Sequence, residues 1–443
     1  MSALNPPIFR LPLELTQHIA SFLPNADLCA FTLTCCRFAG QVLSPHSSIW
    51  GEKFRDQYDL IGTRKSKDLK IEYQTRALVL SQDISLGLGG TEEGYLWLEV
   101  LHTLLLETYF YTRRSNSSYP SKNLIKIEEV IRDLDFLQRP LPQYDKRTQS
   151  EPYDLFCVVQ LCLTHLSLGL ETSVLCSRSD YNIDHVYSYG KQFRVPIVVN
   201  SSVDLQTLLH IRNFWQRHLT STREDTFLNS YRTLIERPDT WTSPFKPNDE
   251  FKASWLGYYS CIHPYPKTSK ALKSDQTCEN LGIHGPTFAN SLRLSVSKNP
   301  QNWPGMFNTI IPMSESSPSR TFFRGIQRYH DMIDSPTYLV RGFLEPILEA
   351  QGDFPGWTRI CFVDYDANRE FLPLFDHKNT HDEYLSFPDE QWPPVDLHSD
   401  FLSIYGFEGV LLPGGRIILG QWLDMQGEGT GECDRGPFIF WEM

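Results

Sequence analysis

The chain has 443 residues, of which 41% are hydrophobic and 21% charged, and its formal net charge is −12. A chain of this length can bury a sizeable core and form two or three domains. The excess of acidic residues argues against a nucleic-acid partner and against an anionic membrane surface, because both select basic patches. The most apolar long stretch, LFCVVQLCLTHLSLGL, is interrupted by Gln160, Thr164 and His165 and is too short to span a bilayer.

Cysteine usage and the N-terminus indicate the compartment. Ten cysteines are scattered along the chain without a C-x-x-C pair or the spacing of a small disulfide-stapled domain. The first residues, MSALNPPIFR, lack the apolar core of a signal peptide. We therefore expect a soluble protein of a reducing compartment, the cytoplasm or the nucleus.

The first elements in chain order are short helices within LPLELTQHIASFLPNADLCAFTLTCCRF, residues 11–38. Pro12 suits the first turn of a helix and Pro24 ends that helix. At 100° per residue, one broad apolar stripe forms, while Leu13 and Ala20 point the opposite way. The stripe consists of Leu11, Leu15, Ile19, Phe22 and Leu23.

A second helix follows Asn25, and Asp27 is a candidate N-cap for it. Its sequence LCAFTLTCC has no charged residue. A helix that is apolar all round must be covered all round. Either the rest of the chain covers it or another protein does. A third helical stretch ends in Ile49 and Trp50.

The spacing of these residues resembles the F-box family, which opens with LP-x-E-L and closes with an aliphatic residue before a Trp. The matching residues are Leu11, Pro12, Glu14, Leu15, Ile19, Leu23, Pro24, Asp27, Leu28, Cys35, Arg37, Phe38, Ile49 and Trp50. One departure is Cys29, where the family more often has a larger aliphatic residue. The resemblance implies docking on a Skp-type adaptor, and through it on a cullin scaffold. The implied adaptor-binding residues are Leu11, Pro12, Leu15, Ile19, Leu23, Leu28 and Trp50.

The middle of the chain, residues 57–237, is predicted to be mostly helical. Helices are expected over 91–112 and 153–176, and either a helix or a strand followed by a helix over 122–138. A strand at 195–200 and a helix capped by Ser202 follow. With the F-box at 1–56 and a β-rich remainder at 238–443, the prediction is three regions and an α+β class.

Beyond residue 238 the pattern changes to short apolar runs between turn signals, which predicts an antiparallel β-sandwich or barrel. Runs of this kind are SWLGYYSCI, SLRLSV, YLVRGFL, TRICFVDYD, FEGVLL, RIILGQW and FIFW. Pro413, Gly414 and Gly415 predict a tight reversal between strands 407–412 and 416–422. The apolar ending is expected to add a strand to the same sheet.

Catalytic and metal-binding signatures are weak. No G-x-S-x-G elbow, phosphate loop or dinucleotide fingerprint occurs. His377 and His381, with Asp382 and Glu383, and the acidic group Asp424, Glu428, Glu432 and Asp434, are better explained as polar loops than as metal sites. We expect no cofactor, no metal and no catalytic activity.

Arginines among aromatic residues are the candidate substrate-binding group of the C-terminal region. Arg320, Arg324, Arg328, Arg341 and Arg359 stand out, and the leading candidates are Arg324, Arg341 and Arg359, with Trp255, Tyr258, Tyr259 and Trp357 as walls. A guanidinium offers a planar fork for a carboxylate or a phosphate. The alternative is structural pairing with the many acidic residues.

Two hypotheses of different class follow. The C-terminal region also resembles that of F-box proteins of filamentous fungi, in segments such as WLGYYSCIHPYP and FEGVLLPGGRIILGQW. The first hypothesis is a substrate receptor of a Skp–cullin–F-box ubiquitin ligase that binds an unknown protein cargo through its β domain. The second is a hydrolase or a small-molecule-binding β domain that carries an F-box for its own turnover.

Overall fold

The chain packs as two compact units, residues 1–134 and 135–443. The computed structural model describes residues 7–62, 64–81, 92–114, 120–132, 134, 136–138, 151–170, 181–187, 196–222, 227–241, 243–246, 251–262, 283–284, 288–297, 303, 308, 320–330, 335–366, 388, 392–393, 403–425 and 435–443. This division lies at residue 134, so the boundaries predicted at residues 56 and 237 remain predictions.

Helices make up the described part of the first unit. They are α1 (Leu13–Ser21), α2 (Asn25–Thr34), α3 (Cys36–Leu43), α4 (Ser48–Gln57), α5 (Ser66–Leu80), α6 (Glu92–Arg114) and α7 (Lys122–Arg132). Pro12 and Pro24 hold extended backbone at the N-caps of α1 and α2. The prediction of Asp27 as an N-cap was wrong, because α2 begins at Asn25 and places Asp27 in its first turn.

A buried ion network joins α5 and α6 inside this unit. Arg76 donates to Glu107 at 2.8 Å, and Arg64 reaches the same carboxylate at 2.6 Å. Glu72 pairs with both arginines. The Arg76 guanidinium also lies 4.9 Å from the ring centre of Tyr58, next to α4. These contacts tie the F-box helices to the helices that follow them.

Helices open the second unit. They are α8 (Glu151–Cys162), α9 (Thr164–Ser167), α10 (Ile183–Tyr187), α11 (Leu205–Thr220) and α12 (Leu228–Thr233), with a hairpin of β1 (Val198–Val199) and β2 (Ser202–Val203) before α11. The prediction of Ser202 as the cap of α11 was wrong, since Asp204 accepts the Thr207 N–H at 2.9 Å. Among the described residues, no helix combines the length and the apolar character needed to cross a membrane.

Eight antiparallel strands close into a barrel. They are β3 (Ser254–Tyr259), β6 (Asn290–Ser297), β7 (Thr321–Tyr329), β8 (Tyr338–Pro346), β9 (Thr358–Asp366), β10 (Ile404–Leu411), β11 (Ile417–Asp424) and β12 (Arg435–Glu442). Their order is β10-β11-β12-β3-β6-β7-β8-β9, with β9 pairing back to β10. Two further strands, β4 (Cys261–Ile262) and β5 (Ile283–His284), pair beside it. The predicted α+β class is confirmed, with a barrel as the β architecture.

The predicted hairpin is confirmed. Gly414 and Gly415 have φ of +98° and +71°, which a residue with a Cβ adopts at a cost, and they turn the chain from β10 to β11. The terminal strand is also confirmed, since β12 pairs with β11 on one side and β3 on the other. The strand that the apolar pattern did not predict is β7, whose arginines interrupt the run.

The barrel lumen is filled by side chains from all eight strands. Phe323, Phe362, Phe407, Phe438 and Phe440 form its centre with aliphatic residues from the other strands. Such a small barrel is packed solid in its middle. Glycines that lie opposite each other on neighbouring strands leave room for the phenylalanine rings. A Cβ on Gly420, which lies opposite Gly409, would sit 2.5 Å from the Phe438 ring.

The helices of the second unit cover part of the outer barrel surface. Trp215 of α11 lies 6.2 Å from Tyr258 of β3, and Tyr231 of α12 lies 5.8 Å from Trp441 of β12. The Gln421 amide donates to the carbonyl of Val186 at 2.8 Å. The barrel and helices α10–α12 therefore form a single packed structure.

Candidate functional site

Helix α1 exposes its large apolar residues and buries its small ones. Leu15, Ile19 and Phe22 are 51%, 53% and 75% exposed, whereas Thr16 and Ala20 are buried. Positions i, i+4 and i+7 share one face of a helix. We call Leu15, Ile19 and Phe22 the exposed stripe. Exposed apolar surfaces of this kind are typical of protein interaction sites.

The other adaptor-binding candidates divide between surface and interior. Leu11 and Leu23 are half-buried and Pro12 is exposed. Leu28 and Trp50 are buried, and the Trp50 indole donates to the Val42 carbonyl at 2.7 Å. These two side chains belong to the core of the N-terminal helices. A variant that places a charge there would test folding rather than docking.

The second helix is not covered all round by the described chain. Leu28 is the buried residue of α2, and Leu33 is 86% exposed. Among the described residues, the apolar surface of α2 around Leu33 therefore stays uncovered, and coverage by another protein remains a prediction.

In the second unit, the three predicted arginines lie on the outer face of neighbouring strands. Arg324 of β7 is directly opposite Arg341 of β8. Arg359 of β9 is opposite Glu345 of β8. Their immediate neighbours along the strands, Phe323, Val340 and Ile360, point into the lumen, so the arginines point outward by the alternation of a strand.

Each of the three arginines is buried and contacts other groups. Arg359 donates to Glu408 at 2.5 Å and lies 3.4 Å from Glu345. Arg341 donates to the Tyr365 hydroxyl at 3.0 Å and to the Trp392 carbonyl at 3.1 Å. Because two carboxylates already hold Arg359, its geometry is that of a structural pair.

The predicted aromatic walls lie away from these arginines. Trp255 and Tyr259 pack in or against the lumen, Tyr258 faces α11, and the Trp357 indole donates to the Phe354 carbonyl at 2.7 Å. The structure thus brings the arginines together but does not frame them with these four residues.

On the outer face, Trp392 contacts one of these arginines and Trp303 packs on the neighbouring Phe343. Arg324 lies 4.9 Å from the ring centre of Trp392, and Trp303 packs on Phe343 of β8 at 4.9 Å. Both tryptophans precede a proline in the sequence. The Trp-Pro pairs were the signal that could have found them. Proline restricts the preceding residue to extended backbone and so helps to fix its side chain.

No three His, Cys, Asp or Glu side chains of the described residues are grouped so that they could hold a metal ion. Asp424 lies at the end of β11 within the described chain. The other residues weighed as metal ligands, at 377–383 and 428–434, lie outside the described residues.

Comparison with protein families identifies residues 8–55 as an F-box-like domain. This match implies binding of a Skp-type adaptor. Comparison with curated proteins and with solved structures gives no match. The resemblance of the C-terminal region to the fungal F-box proteins has no support from these comparisons.

Proposed function

We propose that this protein is the substrate-receptor subunit of a Skp–cullin–F-box ubiquitin ligase. It binds the adaptor with its F-box, presents cargo with its barrel unit, and itself catalyses no step. Such a receptor acts in the cytoplasm or the nucleus. The observation that carries the proposal is the exposed stripe of Leu15, Ile19 and Phe22 within the F-box-like match at 8–55.

The stripe offers enough apolar surface for docking. Burying each of its three side chains contributes about 2 kcal/mol in gross transfer free energy. Part of that gain offsets the translational and rotational freedom lost on association. A charge in the stripe would have to be buried without a partner and should abolish docking.

The test is co-purification of the full chain with a Skp-type adaptor and a cullin. We expect Leu15→Asp combined with Ile19→Asp to lose at least about 100-fold in adaptor affinity, since an unpaired buried charge costs several kcal/mol. Leu13→Asp is the matched control, because Leu13 is 45% exposed on the same helix but lies off the stripe. Retained binding by a folded double variant would overturn the adaptor proposal.

For the cargo we propose the outer face of β7 and β8, where Arg324 and Arg341 stand opposite each other. A guanidinium is a planar fork for an oxyanion, and two guanidinium groups on directly opposite residues can share one oxyanion. An acidic or phosphorylated segment supplies such an anion. Trp392 stacks on Arg324 and would orient the guanidinium group of that arginine. Arg359 is the weakest of the three candidates, because Glu408 and Glu345 hold it.

Cargo captured by the full chain, with and without residues 8–55, would be identified by mass spectrometry. We expect Arg341→Ala to lower cargo recovery and to leave adaptor binding unchanged. Arg328→Ala is the control, since Arg328 lies on the same strand as Arg324 but donates to Thr337. If Arg341→Ala unfolds the barrel, Arg324→Lys, which keeps the charge and loses the planar fork, decides between cargo binding and structural pairing. Unchanged cargo recovery with Arg324→Lys would reject the arginine site.

A further inference from the structure

One end of the barrel lumen is polar, in contrast to the phenylalanine-filled middle. It is the end at which β9 stops and β10 starts. Its inward-facing side chains alternate with the outward ones along each strand. They are Tyr259, Asn290, Gln327, Tyr329, Tyr338, Asp364, Asp366 and Tyr405, and we call them the polar end.

Strand register brings these side chains together. Tyr405 is directly opposite Asp364, and Tyr338 is opposite both Asp366 and Gln327 on its two sides. Directly opposite residues in an antiparallel pair have Cβ atoms about 4.5–5.5 Å apart on one face. Tyr329 is likewise opposite Asn290. The polar end is therefore one cluster spread over six strands.

The aromatic rings of this cluster stand around its acidic groups. Tyr259 forms a side-chain hydrogen bond with Tyr329. Burial is the main cause of the raised pKa of the Tyr259 hydroxyl, and the nearby Asp364 also helps to raise it. Tyr405 lies 5.6 Å from Trp422, and that indole lies 5.6 Å from Tyr259. The faces of such rings carry negative potential, as the carboxylates do.

Three polar atoms of the polar end are buried and unpaired within the described chain. They are Oδ1 of Asp364, Oε1 of Gln327 and Nδ2 of Asn290, in residues that are 2%, 1% and 1% exposed. Leaving a buried polar atom unpaired costs free energy. Among the described strand residues directed into this end, none is a lysine or an arginine. The described strands thus direct the carboxyl groups of Asp364 and Asp366 into this end, with Asp424 of β11 opposite Tyr405 at its rim, and direct no lysine or arginine there.

Electrostatics agrees with this geometry. Burial raises the pKa of Asp364 well above its ordinary value, and the neighbouring Asp366 raises it further. Burial also raises the pKa of Asp366. Both carboxyl groups therefore gain from a cation that enters the lumen. Tyr338, Tyr405 and Asp366 are half-buried, so solvent reaches the cluster.

We propose that the polar end is a binding site for an organic ammonium ion, held by Asp364 and Asp366 and enclosed by the tyrosine rings. A bound cation lowers the pKa of the two carboxyl groups, which then pair with it as carboxylates. Gln327 supplies an acceptor for an N–H donor, and the rings stabilise the cation by cation–π contact. A hard metal ion fits less well, because it takes about six oxygen ligands. The ammonium group can belong to a free amine or to a lysine side chain of a protein.

The inference does not depend on the proposed ligase function. It concerns the inside of the barrel, whereas adaptor docking uses α1. Loss of ammonium binding with adaptor binding intact would reject this site alone. Loss of adaptor binding with ammonium binding intact would reject the ligase proposal alone.

The experiment is calorimetric titration of the full chain with n-butylammonium chloride, and with n-pentanol as the neutral analogue. We expect butylammonium to bind and pentanol to bind at least about tenfold more weakly, since only the former pairs with the carboxylates. Asp364→Asn keeps the shape and removes the charge, and should lower butylammonium affinity by about tenfold or more. Asp353→Asn is the control, because Asp353 is exposed in the turn between β8 and β9.

A second titration uses the blocked peptide acetyl-Gly-Lys-Gly-amide and separates the two sources of the cation. Tighter binding of the peptide than of butylammonium supports a lysine-bearing protein ligand, and the reverse supports a free amine. Thermal melting of Asp364→Asn verifies that the variant is folded. If neither cation binds at 10 mM, a concentration on the order of a weak ligand's Kd, or if Asp364→Asn binds as the wild type does, the proposal is overturned. Equal binding of pentanol would overturn it as well.

Discussion

The F-box helices expose large apolar side chains, whereas the barrel buries them. Phe22 at the end of α1 and Leu33 on α2 are 75% and 86% exposed, although both side chains are large and apolar. In the barrel, Phe362 and Phe438 are fully buried. The first region leaves an apolar surface uncovered by the described residues. The second closes its core by itself.

Polar groups show the reverse contrast. In the first unit, buried Arg76 forms an ion pair with buried Glu107. The barrel instead keeps Asp364 buried with one oxygen unpaired. A buried carboxyl oxygen without a partner lowers the stability of the fold, and such groups often occur at functional sites. The comparison therefore predicts docking at the surface of one unit and ligand binding inside the other.

The largest effect should follow removal of residues 436–443, which deletes most of β12. This strand lies between β11 and β3, so its loss opens the barrel and exposes two edges. Phe438, Phe440 and Trp441 are fully buried, and losing each costs about 3–5 kcal/mol. The sum is comparable with the whole stability of a domain.

Hydrogen exchange of the full chain measures this effect strand by strand. We expect the amides of β11 and β3 to lose protection, and those of α4 and α5 to keep theirs. Full protection in β11 and β3 would show that the barrel closes without its last strand.

A smaller but still large effect is expected for Gly420→Ala. The added methyl would meet the Phe438 ring at 2.5 Å, and the backbone of β10 leaves it no room. Overpacking typically costs 1–3 kcal/mol, and we expect about 3 kcal/mol here because the ring is itself enclosed.

The matched control for that substitution is Gly40→Ala in α3, where a Cβ meets nothing within 4 Å. There the change should stabilise the first unit by about 0.5–1 kcal/mol, as alanine is the better helix former. Urea unfolding of both variants measures the two free energies. A neutral Gly420→Ala would mean that the lumen is looser than its packing indicates.

The sequence allowed much of this fold to be predicted because local signals agreed with the tertiary structure. Glycines at 414 and 415 require positive φ, and that requirement is satisfied in the β10–β11 turn. Pro12 and Pro24 were expected in the first turn of a helix and at the end of one, and they lie at the N-caps of α1 and α2. In β7, Arg324 and Arg328 interrupt the apolar pattern because the outer face of a barrel strand accepts arginine, so the strand was missed.

The candidate sites were harder to predict, since they depend on which strands become neighbours. Nothing in the sequence shows that Tyr405 lies opposite Asp364, 41 positions earlier in the chain. The same holds for Trp392, which reaches Arg324 from a distant segment. The four predicted walls were aromatic residues chosen by residue type, but strand alternation places Trp255 on the other face of the sheet.

A moderate effect is expected when pH falls, and it belongs to the second unit. His210 is buried and its Nδ1 accepts the Asn182 N–H at 3.2 Å, which fixes the neutral ring. Burial, followed by the neighbouring His185, lowers the pKa of His210 to about 3. The unfolded chain binds a proton below about pH 6.5, so this contribution to stability is complete above that pH and falls as the pH drops toward 3. At pH 5 the loss is about 2 kcal/mol.

Urea unfolding at pH 7.5 and pH 5 checks this loss, with His210→Asn as the comparison. Asparagine can still accept the Asn182 N–H but does not titrate, so the variant should lose about 2 kcal/mol less than the wild type over this interval. His165, whose pKa burial also lowers to about 3, continues to titrate in both proteins. An identical pH dependence for the two proteins would mean that His210 is not held neutral.

The smallest effect should come from Leu33→Ser on α2, and it tests the contrast between the two regions most directly. Leu33 is 86% exposed, so its removal from the free chain deletes almost no buried area and should change stability by less than about 0.5 kcal/mol. Leu28→Ser, five residues earlier on the same helix, removes a buried side chain and should cost about 2–5 kcal/mol. Thermal melting of the F-box region in the full chain compares the two. If Leu33→Ser destabilises the chain as strongly as Leu28→Ser does, then Leu33 is already covered by the protein itself, and the apolar surface of the F-box helices is part of its own core rather than a docking surface.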